Sequence, residues 1–85
     1  MERNNEEQYI VYTEHTENRL ERWFYGMYSK EDANRVAENL NSYGNEEVTR
    51  CVCHISEIYG LGIQNIPDYA KEAYDAYENE KGEER

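Results

Sequence analysis

The stretch LERWFYGMYSKEDANRVAENLNSYG, residues 20–44, contains a change of hydrophobic period that decides the fold. From Leu20 to Tyr28 the side chains alternate as in a strand, with Leu20, Arg22, Phe24 and Tyr28 expected on one face and Trp23, Tyr25 and Met27 on the other. Ser29 then offers a hydroxyl to a backbone N–H two or three residues on, and Glu31 and Asp32 fall in the first turn, where the helix dipole favours acids. Beyond that cap Ala33, Val36, Ala37, Leu40 and Tyr43 recur at helical spacing, and Gly44 is the expected left-handed stop.

Working outward, Gln8 to Thr13 (QYIVYT) is dense in β-branched and aromatic residues on both faces, which reads as a central strand covered on both sides. Glu14 to Asn18 is the expected loop of a hairpin. Val48 to Ile58 reads as a third strand, with Cys51, Cys53 and Ile55 alternating against Arg50, Val52 and His54. Gly60–Ile63 is expected to be a flexible connection, and Pro67 fits the first position of a second helix whose apolar period runs through Ile66, Tyr69, Ala70, Ala73, Tyr74 and Tyr77.

The order is ββαβα, an α+β class with a three-stranded sheet, one helix packed on it and a C-terminal amphipathic helix. A strand–helix–strand crossover leaves the second and third strands parallel and the hairpin makes the first antiparallel to the second, so the first strand can sit between them in the order 2-1-3, an order that the sequence leaves open. The face opposite the first helix must be covered either by the second helix or by another chain. Residues 1–7 and 78–85 are charged and without period, the expected flexible N-terminus and acidic flexible tail of a single domain spanning 8–77.

Across 85 residues there are 19 acidic and 9 basic side chains, a net charge of -10. That field repels phosphate backbones and anionic lipid, so neither direct nucleic-acid binding nor membrane-surface binding is expected, and a basic partner is favoured. The N-terminal residues have no basic-then-apolar pattern and no apolar run approaches a membrane span of about 20 residues, so a cytoplasmic location is expected. In that compartment the two cysteines are expected to be free thiols, since Cys51 and Cys53 on an extended strand sit at the limit of unstrained bridging.

Cys51, Cys53, His54 and His15 include enough ligand types for a zinc site, but a regular strand points the two sulfurs to one face and His54 to the other. Buried thiols are the preferred reading, with no metal and no cofactor. Two histidines, no nucleophile turn and no phosphate-cradling loop also leave no catalytic set, so the chain is read as a non-enzyme.

Tyr supplies nine of the eleven aromatic residues. Its amphipathic ring suits recognition surfaces, and it equally suits the packing of a small core. Acids gather at Glu14, Glu17 and Glu21, at Glu46 and Glu47, and in the tail. Solvation alone explains such groups; the sharper reading compares them with duplex DNA, which carries about ten negative charges per 17 Å of axis. On that reading the partner-binding residues are Glu14, Glu17, Glu21, Trp23, Tyr25, Glu46, Glu47, Tyr69, Tyr74 and Tyr77.

The run from Tyr28 to Asn41 (YSKEDANRVAENLN), following an aromatic hairpin, resembles the strand-then-helix pattern of short acidic proteins from bacteriophages and mobile elements. That group includes anti-restriction and anti-CRISPR inhibitors, many of which occupy the DNA-binding surfaces of host nucleic-acid enzymes. The resemblance covers about half the chain and implies an inhibitor of a basic nucleic-acid-binding protein or nuclease, acting by DNA or RNA mimicry. The alternative is a homo-oligomeric structural or regulatory module, a homodimer in the simplest case, whose Tyr-rich face is the subunit interface.

Overall fold

Strands form where the apolar residues alternate. In a computed structural model, which describes residues 8–18, 21–43 and 47–83 and side chains as far as Glu80, the elements are β1 (Tyr9–His15), β2 (Arg22–Tyr28), α1 (Lys30–Asn41), β3 (Val48–His54), a 3-10 turn (Ile55–Glu57) and α2 (Asp68–Glu83). The sheet order is β2-β1-β3 and both pairings are antiparallel, as the crossover argument allows.

The β-branched run of β1 lies at the centre, with Ile10 and Val11 fully buried on opposite faces. Val11 meets Ala33 and Ala37 of α1, flanked by Tyr9, Tyr28, Val36 and Val52. Ile10 and Tyr12 join Cys53, Ile55, Ile58 and Ile63 in a second, larger cluster, closed by Ala73, Tyr74 and Tyr77 of α2. The second helix thus covers the face that α1 leaves open. Each buried Ile contributes about 1.5–3 kcal/mol by the usual transfer scale.

β2 departs from simple alternation. Val11 pairs with Gly26 but Tyr12 pairs with Phe24, so Tyr25 is an extra residue in a bulge. A bulge reverses the parity of the strand. Phe24 and Met27, expected on opposite faces, therefore both pack against the larger cluster, while Tyr25 is turned to solvent. Gly26 is buried beneath the ring of Tyr28, where a Cβ would lie 2.5 Å from the Tyr28 hydroxyl and 2.7 Å from its ring. The absent side chain is what admits the aromatic cover.

Ser29 caps α1 by accepting from the Asp32 N–H at 3.2 Å. The helix ends at Asn41 with Ser42 as C-cap, so Tyr43 lies past the last turn and is 83% exposed instead of continuing the apolar stripe. Gly44 and Leu20 lie outside the described residues. β3 is shorter than its alternation suggests. His54 accepts the Ser56 N–H on Nδ1 and caps the 3-10 turn, which curls Ile55 and Ile58 back into the core.

The segment after the turn is a built part of the core and not a slack connection. Ile63 is buried, and its N–H reaches the Ile58 carbonyl at 3.2 Å. Gly62 at φ 71 and Asn65 at φ 59, both types that tolerate the left-handed region, steer Gln64 alongside the outer edge of β2. There Gln64 accepts from Phe24 N–H at 2.9 Å and donates to the Arg22 carbonyl at 2.8 Å. Pro67 acts one residue outside α2, its carbonyl accepting the first helical bond from Lys71 at 3.1 Å. The helix runs to Glu83, beyond the residue-77 boundary expected from the apolar period.

Candidate protein interface

Two loops meet at one end of the sheet. Thr16 donates its N–H to the Glu47 carbonyl at 2.8 Å, tying the β1–β2 loop to the segment that enters β3. Within the first loop His15 N–H donates to the Glu21 carbonyl at 3.1 Å, and His15 Nδ1 accepts from the N–H groups of Glu17 and Asn18, both at 3.2 Å. Between the loops is an open depression of about 340 Å³ lined by His15, Thr16, Glu17 and Glu47. The exposed Glu17 and Glu47, thirty residues apart in sequence, thus share one surface.

Other acids of the expected set are placed differently. Glu14 is still in β1, where its carboxylate accepts from Arg22 Nε at 3.1 Å; the two side chains are only 19% and 21% exposed. Arg22 also donates Nη1 to the Leu61 carbonyl at 2.8 Å, so the pair ties β1, β2 and the core segment together. Glu14 is a structural anchor and not a free anion. Glu21 is half-buried, and Glu46 lies outside the described residues. Exposed carboxylates also occupy α1 at Glu31, Asp32 and Glu38 and α2 at Asp68, Glu72 and Asp75, so the anionic surface extends beyond the loop end to both helices.

Among the aromatics, Tyr74 and Tyr77 pack on their own core. Tyr74 meets Tyr59 edge-on at 4.8 Å, and Tyr77 meets His54 at 5.0 Å. The candidates that remain outward are Tyr25 at the bulge and Tyr69, which rests edge-on against Phe24 at 6.0 Å. Trp23 is half-buried beside Gln64. Tyr28 packs beside the α1 cluster, and its hydroxyl is raised above the ordinary tyrosine range by burial, then by Tyr25 and Tyr69. Sequence reasoning missed Tyr59, half-exposed one residue past the expected third strand.

The thiols face the larger cluster. Burial, then Glu57 and Cys51, pushes Cys53 up to about 12; burial, then the Cys51 and Cys53 thiols, pushes Tyr12 up to about 12. Neither cysteine is in a disulfide, and burial holds Cys53 as the protonated thiol, the form that neither ligates nor attacks. Among the described residues no group of three or more His, Cys, Asp or Glu side chains is gathered to hold a metal ion, and no helix is long and apolar enough to cross a membrane. In comparisons with known proteins the chain matches no family model, no curated protein and no solved structure, so its functional reading rests on its own side chains.

Proposed function

We propose that this chain is a non-enzymatic binding protein that docks on a basic, nucleic-acid-handling protein and blocks it by presenting carboxylates where phosphates would sit. The observation that carries the reading is the Thr16–Glu47 backbone bond, which brings Glu17 and Glu47 onto one depression at the sheet end in a chain of net charge -10. Lys and Arg of the partner would pair with these carboxylates, and their long-range attraction speeds encounter. Tyr25 and Tyr69, both exposed, supply amphipathic area for a slower-dissociating contact.

A homo-oligomeric role is less well supported. Tyr74 and Tyr77 serve the chain's own core, which leaves a small aromatic edge, and two copies would each bring ten net negative charges to the contact. The test is charge reversal at the shared surface. Glu17→Lys with Glu47→Lys weakens capture of the basic partner by tenfold or more, while Glu38→Lys on α1 changes it little. Equal affinity for all three proteins overturns the reading.

A further inference from the structure

His15 closes β1, and its ring turns back over the loop that follows, where Nδ1 accepts two backbone N–H groups, those of Glu17 and Asn18, each at 3.2 Å. A neutral imidazole accepts at Nδ1 only when its proton sits on Nε2. The ring therefore plays the part that Asp or Asn plays in an Asx turn, satisfying amide donors that a tight loop leaves over. Unlike either of those residues, histidine gives up this acceptor on protonation, within about pH 5–8.

We propose that His15 is a proton-released latch on the β1–β2 loop: neutral, it holds the Glu17 and Asn18 amides, and protonated, it lets those two go, while the Thr16–Glu47 and Glu21–Asn18 backbone bonds stay. A proton on Nδ1 sets an N–H against two others. The charged groups near the ring are Glu17 from the same loop and Glu47 from the segment entering β3, which line the same depression, whereas Glu14 on β1 is engaged by Arg22. Glu21, at the mouth of β2, receives the His15 N–H on its carbonyl, a bond that ring protonation leaves intact.

His54 makes the contrast within the same molecule. Its Nδ1 also accepts a backbone N–H, from Ser56 at 3.2 Å, but the Ser56 hydroxyl lies 3.0 Å from the same nitrogen and can accept from a protonated ring. The His54 ring is moreover wedged between Tyr9 at 5.1 Å and Tyr77 at 5.0 Å. A protonated His54 Nδ1 keeps a partner where it stands, whereas the groups on His15 Nδ1 are two N–H donors. Because Glu17 rides on the latched loop, any effect on partner binding rests on the function proposed above, but the latch itself does not and is read without a partner.

The experiment is a nuclear magnetic resonance titration of the free, ¹⁵N-labelled chain from about pH 8 to 5, following the imidazole nitrogens and backbone amides together. Expected are an Nε2–H tautomer for His15 at the upper end and shifts of the Glu17 and Asn18 amides with the midpoint of the His15 ring, while Val52 in the sheet stays put. His15→Asn, whose side-chain oxygen accepts without titrating, abolishes the histidine-linked shift of those amides. His15→Ala gives the released positions at every pH. An Nδ1–H tautomer at the upper end, loop amides indifferent to the His15 midpoint, or His15→Ala amides matching the neutral wild type would overturn the latch.

Discussion

The side-chain amide of Asn41, the last residue of α1, pairs with both backbone groups of Arg50 in β3: Arg50 N–H donates to Asn41 Oδ1 at 2.9 Å and Asn41 Nδ2 donates to the Arg50 carbonyl at 3.1 Å. One side chain thus stands in for a strand at the sheet's outer edge and fixes where the helix ends relative to β3. An open edge of this kind is a template for unwanted pairing. Asn41→Ala removes both bonds and should cost about 1–2 kcal/mol, read as a lower urea midpoint with unchanged slope. Asn41→Asp keeps the acceptor but sets a carboxylate against the Arg50 carbonyl, and should cost no less.

Gly26 and Tyr28 form the second constraint on β2. Adding a methyl at Gly26 forces the Tyr28 ring off its seat, because the new carbon would sit 2.5 Å from the hydroxyl. Gly26→Ala should destabilise by about 1–3 kcal/mol. Tyr28→Leu removes the obstruction, so the double variant should lose less than the sum of the two single losses in thermal unfolding.

The Glu14–Arg22 pair predicts unequal partners. Arg22 anchors both Glu14 and the Leu61 carbonyl, whereas Glu14 has the Arg22 bond alone among the contacts described. Arg22→Met should therefore destabilise more than Glu14→Gln, by about 1–3 kcal/mol against about 0.5–1.5. Chemical denaturation of the two variants compares them directly; equal losses would mean that the Leu61 bond contributes nothing.

Alkaline stability follows from the core thiol and phenol. Cys53 rises from 9.0 to about 12 and Tyr12 from 10.0 to about 12, both chiefly through burial. The folded state holds these protons more tightly than the unfolded state. Their contribution is therefore whole below pH 9 and falls as pH rises through 9 to about 12. Unfolding free energy measured against pH should decline across that window, and Cys53→Ala should flatten the part between 9 and 10, where Tyr12 does not yet contribute. Thiol labelling of Cys53 should track global unfolding, not exposure of the native chain.

Much of this architecture was legible because its signals are local. The change of period at Ser29, its capping hydroxyl and the first-turn acids fix the β2–α1 junction, and crossover geometry sets β2 parallel to β3, which allows the order β2-β1-β3 without requiring it. What was hidden depends on a single inserted residue or on tertiary pairing. The bulge at Tyr25 carries no periodic signature beyond the adjacent Gly26, yet it reassigns Met27 to the other face. Ile55 continues the alternation of β3 so well that the 3-10 turn cannot be seen without the His54 cap.

The candidate site was less legible for the same reason. Glu14 looks like one acid of a loop until the hairpin register sets it opposite Arg22. Tyr74 and Tyr77 look like a recognition stripe until α2 is seen closing the sheet's second face. The approach of Glu17 to Glu47 has no sequence signal, since it comes from two loops joined by a backbone bond.

The most direct measurement is displacement. A basic nucleic-acid-handling protein bound to the immobilised chain at low salt is challenged with short duplex DNA and, separately, with rising salt. Mimicry predicts that duplex and chain compete for one surface and that affinity falls linearly in log–log terms with salt, with a shallower slope for the Glu17→Lys, Glu47→Lys variant. A complex that binds duplex without releasing the chain, with affinity insensitive to salt, would contradict the account.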